Sequence, residues 1–187
     1  MPFPIIPLCW LTFVAYWVFR SRSVKATVER ASKAEVLAYK IPTFVGAVLI
    51  YLSWRLPGPF GLRVNPDSAP FEGAGDLLCL AGLAGAIWSR NALAGNWSND
   101  PTFKKGHELI VRGPYRWVRH PIYSAILLMC LGSAIAAGVL GSWLGLLILF
   151  AGFLIKLRQE EAILLRHFSK AYPDYMRRVK ALVPFVY

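Results

Sequence analysis

Residues 142–171, SWLGLLILFAGFLIKLRQEEAILLRHFSKA, predict one long helix that crosses a membrane and continues beyond it. The stretch is apolar as far as Ile155, and no proline interrupts it. About 30 residues at 1.5 Å each extend for roughly 45 Å, whereas the hydrocarbon core of a bilayer is about 30 Å thick. We therefore expect the polar residues from Lys156 to Lys170 to project into the aqueous phase on one side of the membrane.

Four further apolar runs precede this stretch and are spaced as membrane spans. The predicted spans are Ile5 to Phe19, Val36 to Trp54, Leu77 to Ala94, Ile122 to Leu140 and Ser142 to Leu157. The chain is 56% hydrophobic and only 17% charged, against roughly a quarter charged in soluble proteins. Backbone polar groups in a bilayer must be satisfied within their own segment, which requires helices. The sequence thus predicts an all-α, polytopic membrane protein with about five transmembrane helices and a C-terminal helical segment.

The segment from Leu56 to Gly75, between the second and third spans, is predicted to be a loop because four prolines interrupt it. Few basic residues lie on the side of the membrane where this predicted loop lies. All of the 21 lysines and arginines except Arg55 and Arg63 flank the other ends of the spans. By the positive-inside rule that side is cytoplasmic, with the N-terminus outside and the C-terminus inside. Topology and attraction to anionic lipids account for the net charge of +11, so nucleic acid is not an expected partner.

Neither the cysteines nor the histidines indicate a metal site. The three cysteines lie singly within apolar spans and form no Cys-x-x-Cys pair. The three histidines show no His-x-x-x-His spacing. We expect the cysteines to be buried packing residues and no metal to be bound.

Residues 113–123, GPYRWVRHPIY, place polar and aromatic side chains at the start of the fourth span. Pro121 suits the first position of a helix, which makes His120 the predicted N-cap. The free N–H groups of that helix end can accept an anion such as a carboxylate, with Arg119 adjacent. The alternative is an interfacial aromatic belt with arginines that extend to the headgroups. These residues alone leave both interpretations open.

The extension of the fifth span carries a second polar group. Two adjacent helix faces are predicted, one with Lys156, Glu160, Leu164 and His167, the other with Leu157, Glu161, Leu165 and Phe168. The helix alone favours a simpler interpretation of Lys156 and Glu160, an ordinary ion pair between residues one turn apart that contributes a few tenths of a kcal/mol. The order and spacing of the motifs decide between the two interpretations.

Several motifs together resemble the isoprenylcysteine carboxyl methyltransferase family of membrane methyltransferases. They are His107-Glu-Leu-Ile, then GPYRWVRHPIY, a hydrophobic hairpin, Gln159-Glu-Glu, and finally Phe168, Tyr172, Tyr175, Val179 and Pro184. The resemblance covers about Asn96 to Tyr187. It implies a methyltransferase core over residues 96–187, and the first three predicted spans form an N-terminal region over residues 1–95 of the same integrated domain.

The resemblance also implies a cofactor, S-adenosyl-L-methionine, with S-adenosyl-L-homocysteine as its product. Loops on the cytoplasmic side, together with the last two spans, would bind it. The matched cofactor contacts are His107, Glu108, Leu109, Ile110, Tyr115, His120, Pro121, Ile122, Tyr123 and Glu160. The family's substrate-side arginine falls on Lys156, which keeps the charge but lacks the guanidinium fork. Arg158 is a possible substitute for it.

Methyl transfer requires chiefly that acceptor and donor be held in line and that water be excluded. A carboxylate acceptor is already ionised at neutral pH, and Lys156, Arg158 or Arg119 would orient it. A thiol, amine or hydroxyl acceptor would need a general base, for which His120 is the candidate. We expect a lipophilic acceptor, in the first place an isoprenylcysteine-like carboxylate, to enter from the bilayer between spans.

The protein is expected to be a monomer in the cytoplasmic membrane of a prokaryote, with membrane lipids around it. Two other functions share some of its features. A membrane reductase of the sterol-reductase type would share the Arg-His-Pro-x-Tyr motif and bind NADPH, but Gln159-Glu-Glu argues against it. A non-catalytic scaffold would use the basic side only to bind anionic lipid.

Overall fold

The computed structural model describes residues 5–21 and 25–186. Six α-helices and two short strands follow one another in the order α1 (Ile5–Arg20), β1 (Thr27–Arg30), α2 (Lys33–Leu52), α3 (Ala69–Leu93), β2 (Thr102–Lys104), α4 (Pro121–Ala137), α5 (Leu140–His167) and α6 (Ala171–Arg178). The two strands pair in an antiparallel sheet, which the sequence did not predict. The fold is otherwise the predicted all-α arrangement.

Five of the helices are apolar, and they correspond to the five predicted spans. Three of them, α2, α3 and α5, are long and apolar enough to cross a membrane. The other two, α1 and α4, have 16 and 17 residues. Helix α5 has 28 residues and continues beyond its apolar part, as predicted. The class predicted from the sequence, a helical membrane protein, is thereby confirmed.

Glycines set how closely the helices approach. Helix α4 packs chiefly against α3, and α5 chiefly against α2. A Cβ added at Gly132 would lie 2.4 Å from the carbonyl oxygen of Gly75, and one added at Gly46 would lie 2.5 Å from that of Gly145. Small residues let two backbones come into contact, which larger side chains would prevent. The short link between α4 and α5 makes them the predicted hairpin. The larger interface of α4 is nevertheless with α3, and that of α5 is with α2.

Two details of the prediction are corrected. The segment from Leu56 to Gly75 is not a loop throughout, because α3 already begins at Ala69. Pro70 does not prevent this helix, since a proline in the first turn needs no N–H partner. His120 does occupy the position before α4, but its side chain makes no capping hydrogen bond. Its ring turns instead toward α5, as described below.

The C-terminal segment folds back over the start of α4. The N–H of Arg119 donates to the carbonyl of Lys180 at 2.8 Å, and that of His120 to the carbonyl of Ala181 at 2.9 Å. The hydroxyl of Ser124 donates to the carbonyl of Leu182 at 2.6 Å. These bonds fix residues 118–124 against residues 179–182. This contact lies at the same end of the helix bundle as the start of α2 and the end of α5. We call that end of the bundle the basic end.

Candidate active site

A cavity of about 830 Å³ opens at the basic end, between α1, α2, α4, α5 and the segment that follows α3. Eight of the residues predicted for a site line it, namely His107, Tyr115, Arg119, His120, Ile122, Tyr123, Lys156 and Glu160. The other five predicted residues, Glu108, Leu109, Ile110, Pro121 and Arg158, are not among its lining residues. The structure thus brings both motifs to one cavity.

The two motifs meet at Glu160. The hydroxyl of Tyr123 donates a short hydrogen bond to one oxygen of this carboxylate. The Nδ1 atom of His120 lies 3.6 Å from the other oxygen. Residues Lys156, Glu160 and Leu164 line the same cavity, so the helix face predicted for them is the face that the cavity uses. His167, assigned to the same face, lies outside the lining.

The neighbouring carboxylate, Glu161, has a different environment. It is buried, and its Oε1 accepts hydrogen bonds from Nε of Arg119 at 2.8 Å and the hydroxyl of Tyr172 at 3.3 Å, and lies 3.1 Å from Nε2 of His120. Arg119 also donates to the carbonyl of Val179 at 2.5 Å. Glu161 therefore connects the start of α4 to the C-terminal segment. The sequence placed it on the face adjacent to Glu160 and assigned it no role in the site.

Lys156 projects into the cavity from α5. Its ammonium donates to the carbonyl of Asn99 at 2.7 Å and lies 5.1 Å and 5.2 Å from the ring centres of Tyr39 and Tyr123. Arg158, the other candidate for orienting an acceptor, is exposed and lies outside the cavity lining. A cation held by one carbonyl and two aromatic rings keeps donors available for a bound anion.

Helix α2 and the segment after α3 supply residues that the sequence did not predict for the site. The hydroxyl of Tyr39 donates to Asp100 at 2.7 Å, and Lys40 lies 2.9 Å from the same carboxylate. Burial opposes ionisation of Asp100, but hydrogen bonds from Lys40 and Tyr39 outweigh that effect and hold its pKa below its ordinary value. Tyr39 and Lys40 thus fix the position of Asp100. Because Asn99 is the preceding residue, they also fix the carbonyl that accepts from Lys156. No motif marked these residues.

His107 lies in a stack of rings at the edge of the cavity. Its ring centre is 5.0 Å from that of Phe103, with the planes nearly parallel at 11°. Burial and nearby cations, Lys25 among them, lower the pKa of His107 to about 4. The imidazole is therefore neutral at physiological pH and offers a hydrogen-bonding edge without charge. Its neighbour Leu109 packs on Tyr172, Tyr175 and Val179 instead.

A buried arginine supports the part of the cavity wall that Trp97 forms. Arg90 is fully buried and donates to the carbonyls of Ala94 at 2.7 Å and Arg20 at 2.9 Å, at the C-terminal ends of α3 and α1. Its guanidinium lies 4.5 Å from the ring centre of Trp97, which lines the cavity. Helix C-termini carry partial negative charge, which compensates a buried cation. An arginine near the end of an apolar helix was the signal available in the sequence.

One side of the cavity is apolar and faces outward. Phe13 and Trp17 of α1 and Ile41, Phe44 and Val45 of α2 line it. Ile41 is 55% exposed and Phe44 is 69% exposed, so the same side chains also reach the outer surface of the bundle. Within the described residues, no group of three or more His, Cys, Asp or Glu is placed to hold a metal ion.

Comparison with known proteins covers the part of the chain that carries the two motifs. A sequence model of the family described as phospholipid methyltransferase matches residues 72–171. A probable protein-S-isoprenylcysteine O-methyltransferase of Oryza sativa subsp. indica is 31% identical over 85 residues, which are 45% of this chain and 44% of the relative. The protein-S-isoprenylcysteine O-methyltransferase of Schizosaccharomyces pombe is 31% identical over 83 residues, 44% of this chain and 35% of the relative. The match thus covers less than half of the length of each of these relatives.

The fold is also found in a solved structure. A eukaryotic intramembrane Ras methyltransferase, isoprenylcysteine carboxyl methyltransferase, aligns with a TM-score of 0.59 at 22% identity, over 79% of this chain and 52% of that chain. The resemblance inferred from the motifs is confirmed by these comparisons. Because the family match covers more than half of the sequence, the chain belongs to the phospholipid methyltransferase family and is an integral membrane protein of helical fold.

Proposed function

We propose that the chain is a methyltransferase that uses S-adenosyl-L-methionine to methylate a lipophilic acceptor at the cytoplasmic side of a membrane. The observation that carries this proposal is the composition of the cavity. Its outward side is made of apolar side chains such as Phe44, and its inner side carries Glu160 and Lys156. An amphipathic acceptor needs both kinds of surface in one cavity.

The residues present suit the cofactor. Its sulfonium and ammonium groups are cationic and favour the carboxylate of Glu160, while Ile122 and Tyr115 offer contact to its adenine ring. A cavity of about 830 Å³ is large enough for a ligand of this size, since ligand pockets measure roughly 300–1,000 Å³. When bound, S-adenosyl-L-methionine supplies an electrophilic methyl group. The protein's part is to hold the acceptor in line with it and to exclude water.

A carboxylate acceptor agrees best with the charges in the cavity. Lys156 keeps donors available beside its bond to Asn99 and can hold a carboxylate as an ion pair. Both ring nitrogens of His120 lie beside carboxylates, at 3.6 Å from Glu160 and 3.1 Å from Glu161. A histidine in this position serves better to orient these carboxylates than to deprotonate an acceptor. Lys156 is therefore the residue that we assign to orientation of the acceptor.

We further propose that the acceptor enters from the bilayer, past the outward side of the cavity. Phe44 and Ile41 are exposed on that side, where lipid chains would contact them in a membrane. The basic end is then cytoplasmic, because almost all of the lysines and arginines lie there. The cofactor, which is soluble in water, would enter from that same end.

Cofactor binding is tested by calorimetric titration of the purified protein with S-adenosyl-L-homocysteine. We expect binding by the wild type and a Kd about 10- to 150-fold higher for Glu160→Gln, because one charge-assisted contact contributes roughly 1.5–3 kcal/mol. Arg158→Gln is the matched control and should leave the Kd unchanged. Stabilisation by NADPH, without binding of S-adenosyl-L-homocysteine, would overturn the proposal.

The acceptor is tested by methyl transfer to a farnesylated cysteine with a free carboxylate and to its amide. We expect methylation of the carboxylate only. Lys156→Gln should raise the KM for this acceptor about tenfold while the Kd of S-adenosyl-L-homocysteine changes little. If Arg158→Gln raises the KM and Lys156→Gln does not, the assignment of Lys156 is wrong.

A further inference from the structure

A second cavity of about 440 Å³ lies beside the first, between the end of α1 and the two-stranded sheet. The register of the sheet determines which side chains face it. Arg30 stands opposite Thr102, and Thr27 opposite Lys104. Residues two apart on a strand share a face, so Thr102 and Lys104 point the same way. Arg30, Thr102 and Lys104 all line this cavity.

The two cations of this cavity lack an anionic partner. The side chain of Lys104 is buried, and its ammonium has one hydrogen bond in the described part of the chain, to the hydroxyl of Thr27 at 3.0 Å. No described carboxylate forms an ion pair with Lys104 or Arg30. Burial, together with the nearby charge of Arg30, lowers the pKa of Lys104. Two cations close together, one of them buried, are costly unless an anion binds between them.

Other polar groups of the cavity are also available to a ligand. The hydroxyl of Thr102 is buried and has no hydrogen-bond partner among the described residues. Ser98 and Asn99 line this cavity as well as the first one, although the hydroxyl of Ser98 already donates to the carbonyl of Asp100 at 2.8 Å. Asp100 is the acidic residue of the lining, but it is already engaged by Lys40 at 2.9 Å and Tyr39 at 2.7 Å. The cavity therefore offers donors from several directions and two positive charges that no described carboxylate neutralises.

We propose that the second cavity is a binding site for a phosphate group, held by Arg30, Lys104 and the hydroxyl of Thr102. A phosphate presents oxygens in several directions and one or two negative charges, which matches donors that converge from two strands and a loop. Trp17 and Val18, in the last turns of α1, form an apolar edge of the same cavity. The phosphate can belong to an anionic membrane lipid or to a soluble compound, and both share this chemistry.

Titration calorimetry in a non-ionic detergent distinguishes these sources. The probes are dihexanoyl-phosphatidylglycerol, dihexanoyl-phosphatidylcholine with the same acyl chains, and inorganic phosphate. Tighter binding of phosphatidylglycerol than of either other probe assigns the site to an anionic lipid. Comparable binding of inorganic phosphate assigns it to a soluble phosphate compound. Absence of binding by both anionic probes overturns the proposal.

Variants locate the site. Arg30→Gln and Lys104→Gln should each raise the Kd of the anionic probe about tenfold, since each removes one charge-assisted contact. Lys105→Gln removes the same charge from the next residue, which is exposed and outside the cavity lining, and should have no effect. Arg30 is exposed, so Arg30→Gln should keep the fold. If Lys104→Gln does not fold, the Kd of Arg30→Gln alone tests the proposal. An equal effect of Lys105→Gln, or none of Arg30→Gln, overturns the proposal.

Discussion

Glu160 and Glu161 are adjacent in the chain, but the structure predicts opposite consequences for their removal. One carboxylate oxygen of Glu161 contacts Arg119, His120 and Tyr172, and we call this group of four side chains the junction. Glu160 faces the cavity and has Tyr123 as its nearest donor. Glu161→Gln should therefore reduce stability, whereas Glu160→Gln should reduce ligand binding.

The expected magnitude follows from burial. The side chains of Arg119 and Glu161 are 10% and 12% exposed, so solvent screens their ion pair little. Removal of one partner from such a pair costs about 3 kcal/mol, because the other charge stays buried. For a domain of this size that corresponds to a fall in Tm of roughly 6–12 °C. The Glu160 side chain is 22% exposed, and a glutamine there can still accept from Tyr123, so about 1 kcal/mol is expected.

The assay measures the apparent Tm and the Kd of S-adenosyl-L-homocysteine for both variants in the same detergent. Glu161→Gln should show the larger fall in Tm, and Glu160→Gln the larger rise in Kd. The double variant of Glu161→Gln with Arg119→Gln should cost less than the sum of the two single changes, since they share one interaction. A fall in Tm below about 3 °C for Glu161→Gln, or an equal fall for Glu160→Gln, would refute the assignment of the junction.

Two further predictions concern packing and pH. Gly46→Ala places a Cβ 2.5 Å from a backbone oxygen of α5 and should lower stability by about 1–3 kcal/mol, whereas Gly73→Ala, with no atom within 4 Å, should leave Tm unchanged or raise it. Hydrogen bonds from His167 and Arg166 lower the pKa of Glu29, so the contact of β1 with α5 is stable above the ordinary glutamate pKa and weakens as pH falls below it. The protection factors of residues 27–30 in hydrogen exchange should fall below about pH 4.5, and Glu29→Gln should abolish this dependence.

The sequence predicted the helices well because their signal is local. An apolar run of about 20 residues requires a helix wherever it sits in a bilayer, independent of its neighbours. The start of α3 was wrong because Pro70 was taken as a barrier to a helix, although the first turn tolerates it. The sheet was missed because Thr27–Arg30 and Thr102–Lys104 are short and pair over a long distance in the chain.

The residues of the candidate site could be grouped from the sequence where they share a motif or a helix face. The run before α4 and the spacing of Lys156 and Glu160 brought both groups to one cavity. Tyr39 and Asn99 were not predictable, because they reach the cavity from α2 and from a loop and carry no motif of their own. Their placement depends on the packing of α2 against α5, which rests on close contact between glycine backbones.

The position of Glu161 gives the C-terminal segment a part in the site. Residues one apart on a helix point about 100° apart, so α5 can present Glu160 to the cavity and Glu161 to the other side. Arg119 joins these two sides, because it lines the cavity and also donates to Glu161 and to the carbonyl of Val179. Backbone bonds from residues 119 and 120 to residues 180 and 181 hold the same junction. A change that detaches residues 179–182 therefore removes the carbonyl that accepts from the Arg119 side chain and the backbone partners of residues 119 and 120, and it should disturb the cavity although none of residues 179–182 lines it.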